Sequence, residues 1–226
     1  MILSDNGTWG YIHLPKCGGT WVRKQLVDVL QVGTVLDGPQ GHNWPETDPD
    51  DVADDLRRRM CSHGALVINP GRGGTETYMP KLVTQDRMWI ASVRKPSEWY
   101  LSYWKFRTKL GFVGQTLSLD EARYKGQHTK FEWWVDWCLD NEPGYLDRLM
   151  WLMLGGVGGV HLWRIESLSA GLGHYLDLDP RLFSQGRENV SESEQTMSNA
   201  TARKLDSSNP KAYQLWESAW HEDVLN

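Results

Sequence analysis

The sequence predicts an α/β fold with a mainly parallel central sheet flanked by helices. Four short apolar segments have the length and composition of buried strands, at residues 8–14, 65–69, 88–93 and 160–165. Segments with helical spacing of apolar residues separate or follow them. Strands that alternate with helices usually pair in parallel through right-handed crossovers. The length of 226 residues suits a single hydrophobic core, so we expect one domain over residues 1–226.

The helices are predicted from apolar periodicity and from capping signals. Asp48-Pro49 and Asn209-Pro210 each place a capping residue before a proline at the first helical position, and Pro96 begins another helix. The predicted helices cover residues 19–31, 49–60, 96 onward, 131–139, 144–154, 168–176 and 210 to about 225.

Composition excludes several classes of protein. The formal net charge of -5 argues against a nucleic-acid partner, because nucleic-acid-binding proteins usually present a basic face. No apolar run approaches the about 18 residues of a membrane span, and the first residues lack the pattern of a signal peptide, so a cytoplasmic protein with no membrane partner is expected. Three widely spaced cysteines predict neither a disulfide framework nor a zinc site.

The loop after the first predicted strand has the composition of an anion site. Residues 14–21 read LPKCGGTW, in which the glycines allow close backbone approach and the following helix offers unpaired amides. Lys16 adds a charge, and Thr20 adds a hydroxyl. Because the lysine precedes the glycines, the loop lacks the phosphate-binding motif of magnesium-dependent nucleotide hydrolases. The amides of Gly18, Gly19, Thr20 and Trp21 are therefore expected to hold a phosphate or sulfate.

A second cation, Arg94, follows the predicted strand 88–93. Ligands of parallel α/β sheets bind at the carboxyl ends of strands, which is where both this arginine and the glycine loop would lie. A guanidinium can also contact a phosphate through two parallel hydrogen bonds.

These two segments together resemble the sulfotransferases that use 3′-phosphoadenosine 5′-phosphosulfate (PAPS). Strand, Pro-Lys-x-Gly-Gly-Thr and helix is similar to the family's 5′-phosphosulfate loop, which here would include Lys16 and Cys17. Residues 92–103 are similar to its 3′-phosphate segment, which would assign Arg94 and Ser102 to the 3′-phosphate. Residues 163–168 are weakly similar to a late strand of the family that carries a glutamate, and residues 189–223 to the C-terminal part of its bacterial-type branch.

The resemblance implies a P-loop-like sulfotransferase fold, PAPS as co-substrate and no metal. Lys16 would stabilise the leaving bisphosphate while the sulfuryl group passes in line to a hydroxyl or amine of a small-molecule or carbohydrate acceptor. A histidine or carboxylate would accept the acceptor's proton, with His42 and His63 as the candidates and Glu76 as a third. Arg187, in a glycine-flanked loop, is a candidate for a lid over the nucleotide.

Three other functions fit parts of the sequence. Cys17 and Arg23 have the spacing of cysteine-dependent phosphatases, although Lys16 stands where such enzymes have histidine. Thirteen tryptophans suit a non-catalytic carbohydrate- or ring-binding module, and a small-molecule kinase is a further alternative. Trp44, Trp104, Trp133 and Trp134 are candidates for lining an acceptor site. The identity of the acceptor, the choice of base and the oligomeric state stay open.

Overall fold

The computed structural model describes residues 2–35, 88–109, 119, 130–154, 159–183 and 196–221. Within them five strands form one sheet in the order β3-β1-β2-β4-β5. The strands are β1 (Ile2–Ser4), β2 (Trp9–Tyr11), β3 (Gly33–Val35), β4 (Met88–Val93) and β5 (Val160–Arg164).

The sheet has a parallel part and an antiparallel edge. β2, β4 and β5 are parallel, which confirms the α/β class and a parallel sheet flanked by helices. β1 pairs antiparallel with both β2 and β3, and the sequence did not predict this edge. The predicted strand 65–69 and the predicted helix 49–60 lie outside the described residues.

Seven α-helices accompany the strands in the described part of the chain. They are α1 (Gly19–Arg23), which continues as a π-helix over Lys24–Val29, α2 (Pro96–Lys109), α3 (Phe131–Asn141), α4 (Tyr145–Leu154), α5 (Leu168–Leu176), α6 (Asn199–Ser208) and α7 (Pro210–Ser218). All except α6 were predicted. None of the described helices combines the length and the hydropathy needed to cross a lipid bilayer.

The last helix ends earlier than the sequence predicts. α7 stops at Ser218, and Ala219 takes an extended conformation. The chain then runs beside β5, because the Trp220 amide donates to the Leu162 carbonyl at 2.9 Å and the Arg164 amide donates to the Trp220 carbonyl at 2.9 Å. These strand-like hydrogen bonds replace the helical ones that a longer α7 would have made.

Two hydrophobic clusters lie on opposite faces of the sheet, and alternation along β4 separates them. Trp89, Ala91 and Val93 belong to the larger cluster, which α2, α3, α4, α6 and α7 cover. Ile90 belongs to the smaller cluster, which contains residues of α1 and α5. Because both faces of β4 are buried, its sequence is apolar apart from the hydrogen-bonded Ser92, as is typical of parallel strands.

Most described tryptophans pack in these clusters. Eight are at most 9% exposed, namely Trp9, Trp21, Trp89, Trp99, Trp104, Trp134, Trp137 and Trp163. Trp99 and Tyr103 of α2 stack with their rings 5.3 Å apart, and Tyr103 stacks on Trp134 of α3. Trp104 and Trp134, which were suggested to line an acceptor site, are buried in the larger cluster, and this favours a packing role for both. Trp133 is 46% exposed, and Trp44 lies outside the described residues.

Helices α4 and α7 cap each other's N-termini. The buried Asn209 side chain, just before α7, accepts a hydrogen bond from the Leu146 amide of α4 at 2.9 Å. Asp147 of α4 in turn accepts from the Ala212 amide of α7 at 2.7 Å. The amide group of Asn209 also donates to the Leu205 carbonyl at 2.9 Å. The first two contacts satisfy amides that the first turn of a helix leaves unpaired, and the third satisfies a carbonyl in the last turn of α6.

We expect Asn209→Ala to lower the free energy of unfolding by about 2 kcal/mol, because it leaves the buried Leu146 amide without its acceptor. Asn141→Ala is the matched control, since the exposed Asn141 side chain makes one hydrogen bond within its own helix, and it should cost about 0.5 kcal/mol. Urea unfolding measures both. Equal losses would contradict a cross-helix role for Asn209.

Candidate functional site

The pairing of β2 with β4 brings the two predicted anion-binding segments to one edge of the sheet. Tyr11 of β2 lies opposite Ile90 of β4 in a parallel register. The glycine loop follows β2, and Arg94 follows β4, so both segments leave the sheet at the carboxyl ends of neighbouring strands. This is the position at which parallel α/β sheets bind ligands.

Buried hydrogen bonds attach the loop to β4 and to α2. The Ser92 hydroxyl donates to the Cys17 carbonyl, and the Tyr11 hydroxyl lies 2.9 Å from the Ser92 oxygen. Because the single hydroxyl hydrogen of Ser92 is used in the bond to Cys17, the Tyr11 hydroxyl donates to the Ser92 oxygen. Burial raises the pKa of Tyr11. The Trp99 indole N–H donates to the Pro15 carbonyl at 2.7 Å. The loop therefore holds one conformation relative to the start of α2.

The loop backbone turns through left-handed conformations. Gly18 has a φ of 84°, which glycine adopts without steric cost, and Lys16 has a φ of 61°, which costs a side-chain-bearing residue about 1–2 kcal/mol. A Cβ atom at Gly19 would lie 1.9 Å from the His13 ring, so residue 19 must be glycine unless His13 moves. Backbone geometry thus explains the glycine at residue 18, and close packing explains the glycine at residue 19.

The Lys16 side chain is half-buried above the ring of Phe106. Its Nζ atom lies 3.9 Å from the ring centroid, which is a cation–π contact. Burial lowers the pKa of Lys16, and the positive charge of Arg94 acts in the same direction, so that the pKa is about 8. Arg94 is therefore close enough to act on the Lys16 ammonium electrostatically.

Arg94 lies among groups of both signs. Burial lowers the pKa of its guanidinium, while Cys17 and the carboxylates of Glu166 and Glu98 act in the opposite direction. Glu166 belongs to the short 3₁₀ turn Ile165–Ser167 after β5, and Glu98 belongs to the first turn of α2. Both carboxylates are exposed, so solvent screens their attraction for Arg94.

Cys17 is a buried thiol and not an activated one. Its side chain is fully buried, and burial raises its pKa to about 12 against the smaller opposing effects of Arg94, whose backbone amide also donates to the sulfur. A cysteine nucleophile needs the thiolate near neutral pH, which requires a lowered pKa and some exposure. The structure thus gives Cys17 a packing role under the loop.

Ser102 lies on the face of α2 that is turned toward the loop. Trp99, which donates to Pro15, precedes Ser102 by three residues, and Phe106, which contacts Lys16, follows it by four. Residues three and four apart share one face of a helix, so the half-buried Ser102 belongs to the same surface.

The remaining predicted residues divide between the loop and the undescribed segments. Thr20 is exposed at the start of α1, and the Trp21 ring is buried against Phe183, which leaves only the backbone of Trp21 for a ligand. His42, His63, Glu76 and Arg187 lie outside the described residues. In the described ranges, no three His, Cys, Asp or Glu side chains gather as a metal site would require.

Three neighbours of the site were not predicted from the sequence as parts of it. Phe106 contacts Lys16, the His13 ring contacts Gly19, and Asp206 of α6 accepts a hydrogen bond from the Ser97 amide at 2.9 Å and pairs with Lys95 at 3.3 Å. A signal for Phe106 exists in the helical spacing of Trp99, Tyr103 and Phe106, which predicts a shared face. The contact of Asp206 depends on tertiary structure and has no local signal.

No family model, curated protein or solved structure matches this chain.

The left-handed backbone at Lys16 predicts an unusual order of stability. Lys16→Gly should be about 1 kcal/mol more stable than Lys16→Ala, because glycine removes the steric cost of a φ of 61° and alanine does not. Urea unfolding of both variants measures the difference.

Lys24→Gly and Lys24→Ala provide the control, since Lys24 has ordinary right-handed helical angles. There the alanine variant should be the more stable by about 1 kcal/mol. The same order at both positions would contradict a conformational cost at Lys16.

Proposed function

We propose that this chain is a PAPS-dependent sulfotransferase with a P-loop-like sulfotransferase fold. The observation that carries the proposal is the apposition of Lys16 and Arg94 at the carboxyl ends of two neighbouring parallel strands. Two cations held together in a partly buried position favour an anion that carries charge at two points. A 3′,5′-bisphosphorylated nucleotide has this property.

Each described residue has a role in the proposal. The amides of Gly18, Gly19, Thr20 and Trp21 bind the 5′-phosphosulfate at the start of α1, where helix amides lack partners. Arg94 and Ser102 bind the 3′-phosphate. Cys17 packs beneath the loop and contributes its backbone.

Lys16 is the proposed catalytic cation. As the bond from sulfur to the bridging oxygen breaks, negative charge develops on that oxygen, and the Lys16 ammonium stabilises it. The sulfuryl group forms its new bond to the acceptor oxygen or nitrogen, and 3′,5′-adenosine bisphosphate leaves. The acceptor's proton passes to a general base, for which His42 and His63 are the candidates. Arg187 is the candidate for closing over the nucleotide.

The acceptor is proposed to be a small molecule or a carbohydrate. Among the alternatives, the cysteine-dependent phosphatase has the least support, because Cys17 is buried with a raised pKa. A ring-binding module has one supporting observation, since Trp133 and Trp151 expose 46% and 61% of their surface. Both alternatives give different results from the sulfotransferase in the experiment that follows.

Titration calorimetry with 3′,5′-adenosine bisphosphate tests the proposal. We expect micromolar binding by the unmodified protein, a loss of at least about tenfold in Arg94→Ala and in Lys16→Met, and nearly unchanged affinity in Cys17→Ser. Trp151→Ala is the control for a surface change and should bind normally. Incubation with sulfur-35-labelled PAPS and a panel of sugars, phenols and amines then identifies the acceptor class.

Absence of bisphosphate binding together with absence of transfer would refute the sulfotransferase proposal. Binding of sugars that is lost in Trp133→Ala or Trp151→Ala would favour the ring-binding module. Phosphatase activity abolished by Cys17→Ser would favour the phosphatase.

The lowered pKa of Lys16 predicts a pH dependence of nucleotide binding. Lys16 carries its charge below about pH 8 and loses it as the pH rises, so bisphosphate affinity should fall by roughly tenfold between about pH 8 and pH 9.5. Lys16→Met should bind more weakly at all pH values and show a flat profile in this range. A wild-type profile as flat as that of Lys16→Met would contradict the role of Lys16.

A further inference from the structure

We propose that Phe106 is a positioning residue for Lys16, whose aromatic face holds the ammonium group at the anion-binding loop and stabilises its charged form. The consequence for catalysis rests on the function proposed above, whereas the contact itself does not. The residue is half-buried on α2, and its ring centroid lies 3.9 Å from the Lys16 Nζ atom.

The ring can fix the ammonium because both sides of the contact are anchored. Ser92 and Trp99 hold the loop backbone through hydrogen bonds to Cys17 and Pro15. The start of α2 is held by the hydrogen bond from the Ser97 amide to Asp206. A lysine side chain otherwise samples many rotamers, and the ring selects those that keep Nζ beside the loop.

An aromatic partner has a property that a carboxylate lacks. A carboxylate beside Lys16 would cancel its charge and compete with an incoming anion. The π face attracts the ammonium through its quadrupole and carries no net charge, so the full positive charge of Lys16 remains available. Phe106 therefore stabilises the cation without reducing its attraction for a phosphosulfate.

The other charged and titratable groups near Lys16 do not replace this contact. Arg94 disfavours the ammonium, and Cys17 is a protonated thiol at neutral pH. Glu166 and Glu98 act on the Arg94 guanidinium. The Phe106 ring, by contrast, contacts the Lys16 ammonium directly.

The test measures the titration of Lys16 directly. The protein is labelled with acetic anhydride over a range of pH, and the acetylation of the Lys16 peptide is followed by mass spectrometry. In Phe106→Leu the midpoint should fall by about half a pH unit, because a lost cation–π contact destabilises the ammonium. Phe106→Tyr should keep the midpoint. Phe131→Leu changes a buried phenylalanine that packs on Trp104 and should not shift it.

A second variant separates electrostatics from packing. Trifluorophenylalanine at position 106 keeps the ring shape and weakens the negative face, so it should lower the Lys16 midpoint as Phe106→Leu does. This variant also serves if Phe106→Leu fails to fold. An unchanged midpoint in the fluorinated protein would overturn the inference.

A separate kinetic assay measures the effect on the proposed activity. With labelled PAPS and an acceptor, Phe106→Leu should lower kcat by about threefold to tenfold with a smaller change in KM, and Phe106→Tyr should restore it. A shifted Lys16 midpoint in a protein that binds no bisphosphate would support the contact and refute the proposed function. Bisphosphate binding with an unshifted midpoint would refute the contact and leave the function standing.

Discussion

The candidate site depends on the buried hydrogen bonds that join the glycine loop to β4 and α2. Ser92 holds the Cys17 carbonyl, and Trp99 holds the Pro15 carbonyl. In a buried environment, losing either donor leaves a backbone oxygen unpaired, which costs about 1–3 kcal/mol. These bonds therefore fix the loop in position before any ligand arrives. The distance from Lys16 to Phe106 and the proximity of Lys16 to Arg94 both follow from that fixed position.

Under the proposed function, the charges around Lys16 favour the binding of an anion. Burial and Arg94 oppose the Lys16 ammonium, so the unliganded site holds its proton less firmly than a surface lysine does. An anion between the two cations would reverse both effects by attraction. Its binding would raise the pKa of Lys16, so that the ammonium keeps its proton to higher pH. An anion would thus offset the repulsion between Lys16 and Arg94.

Local patterns in the sequence were sufficient for much of the fold and for the position of the glycine loop and Arg94 after neighbouring parallel strands. The apolar run of β4 and the aromatic spacing of α2 and α3 specify their elements without help from distant residues. β1 and β3 were missed, since each has three residues and, unlike β2, neither belongs to a strand-like run as long as residues 8–14. α6 was missed because its sequence is mostly polar and only Thr201 and Leu205 are buried in it. The contact of Phe106 with Lys16 depends on how α2 packs against the loop, and no local sequence pattern predicts that packing.

Tertiary packing also decides which of two adjacent cations belongs to the site. Arg94 and Lys95 are adjacent in the sequence, and their positions alone do not show which of the two side chains acts on the loop. In the structure, the Lys95 ammonium pairs with Asp206 at 3.3 Å and lies 5.5 Å from the Trp216 ring. Those partners belong to α6 and α7, and the ion pair with Asp206 offsets part of the Lys95 charge. Arg94 interacts instead with Lys16 and Cys17. Asp206 also accepts a hydrogen bond from the Ser97 amide in the first turn of α2. Because Asp206 pairs with Lys95, Arg94 is the cation after β4 that acts on the loop.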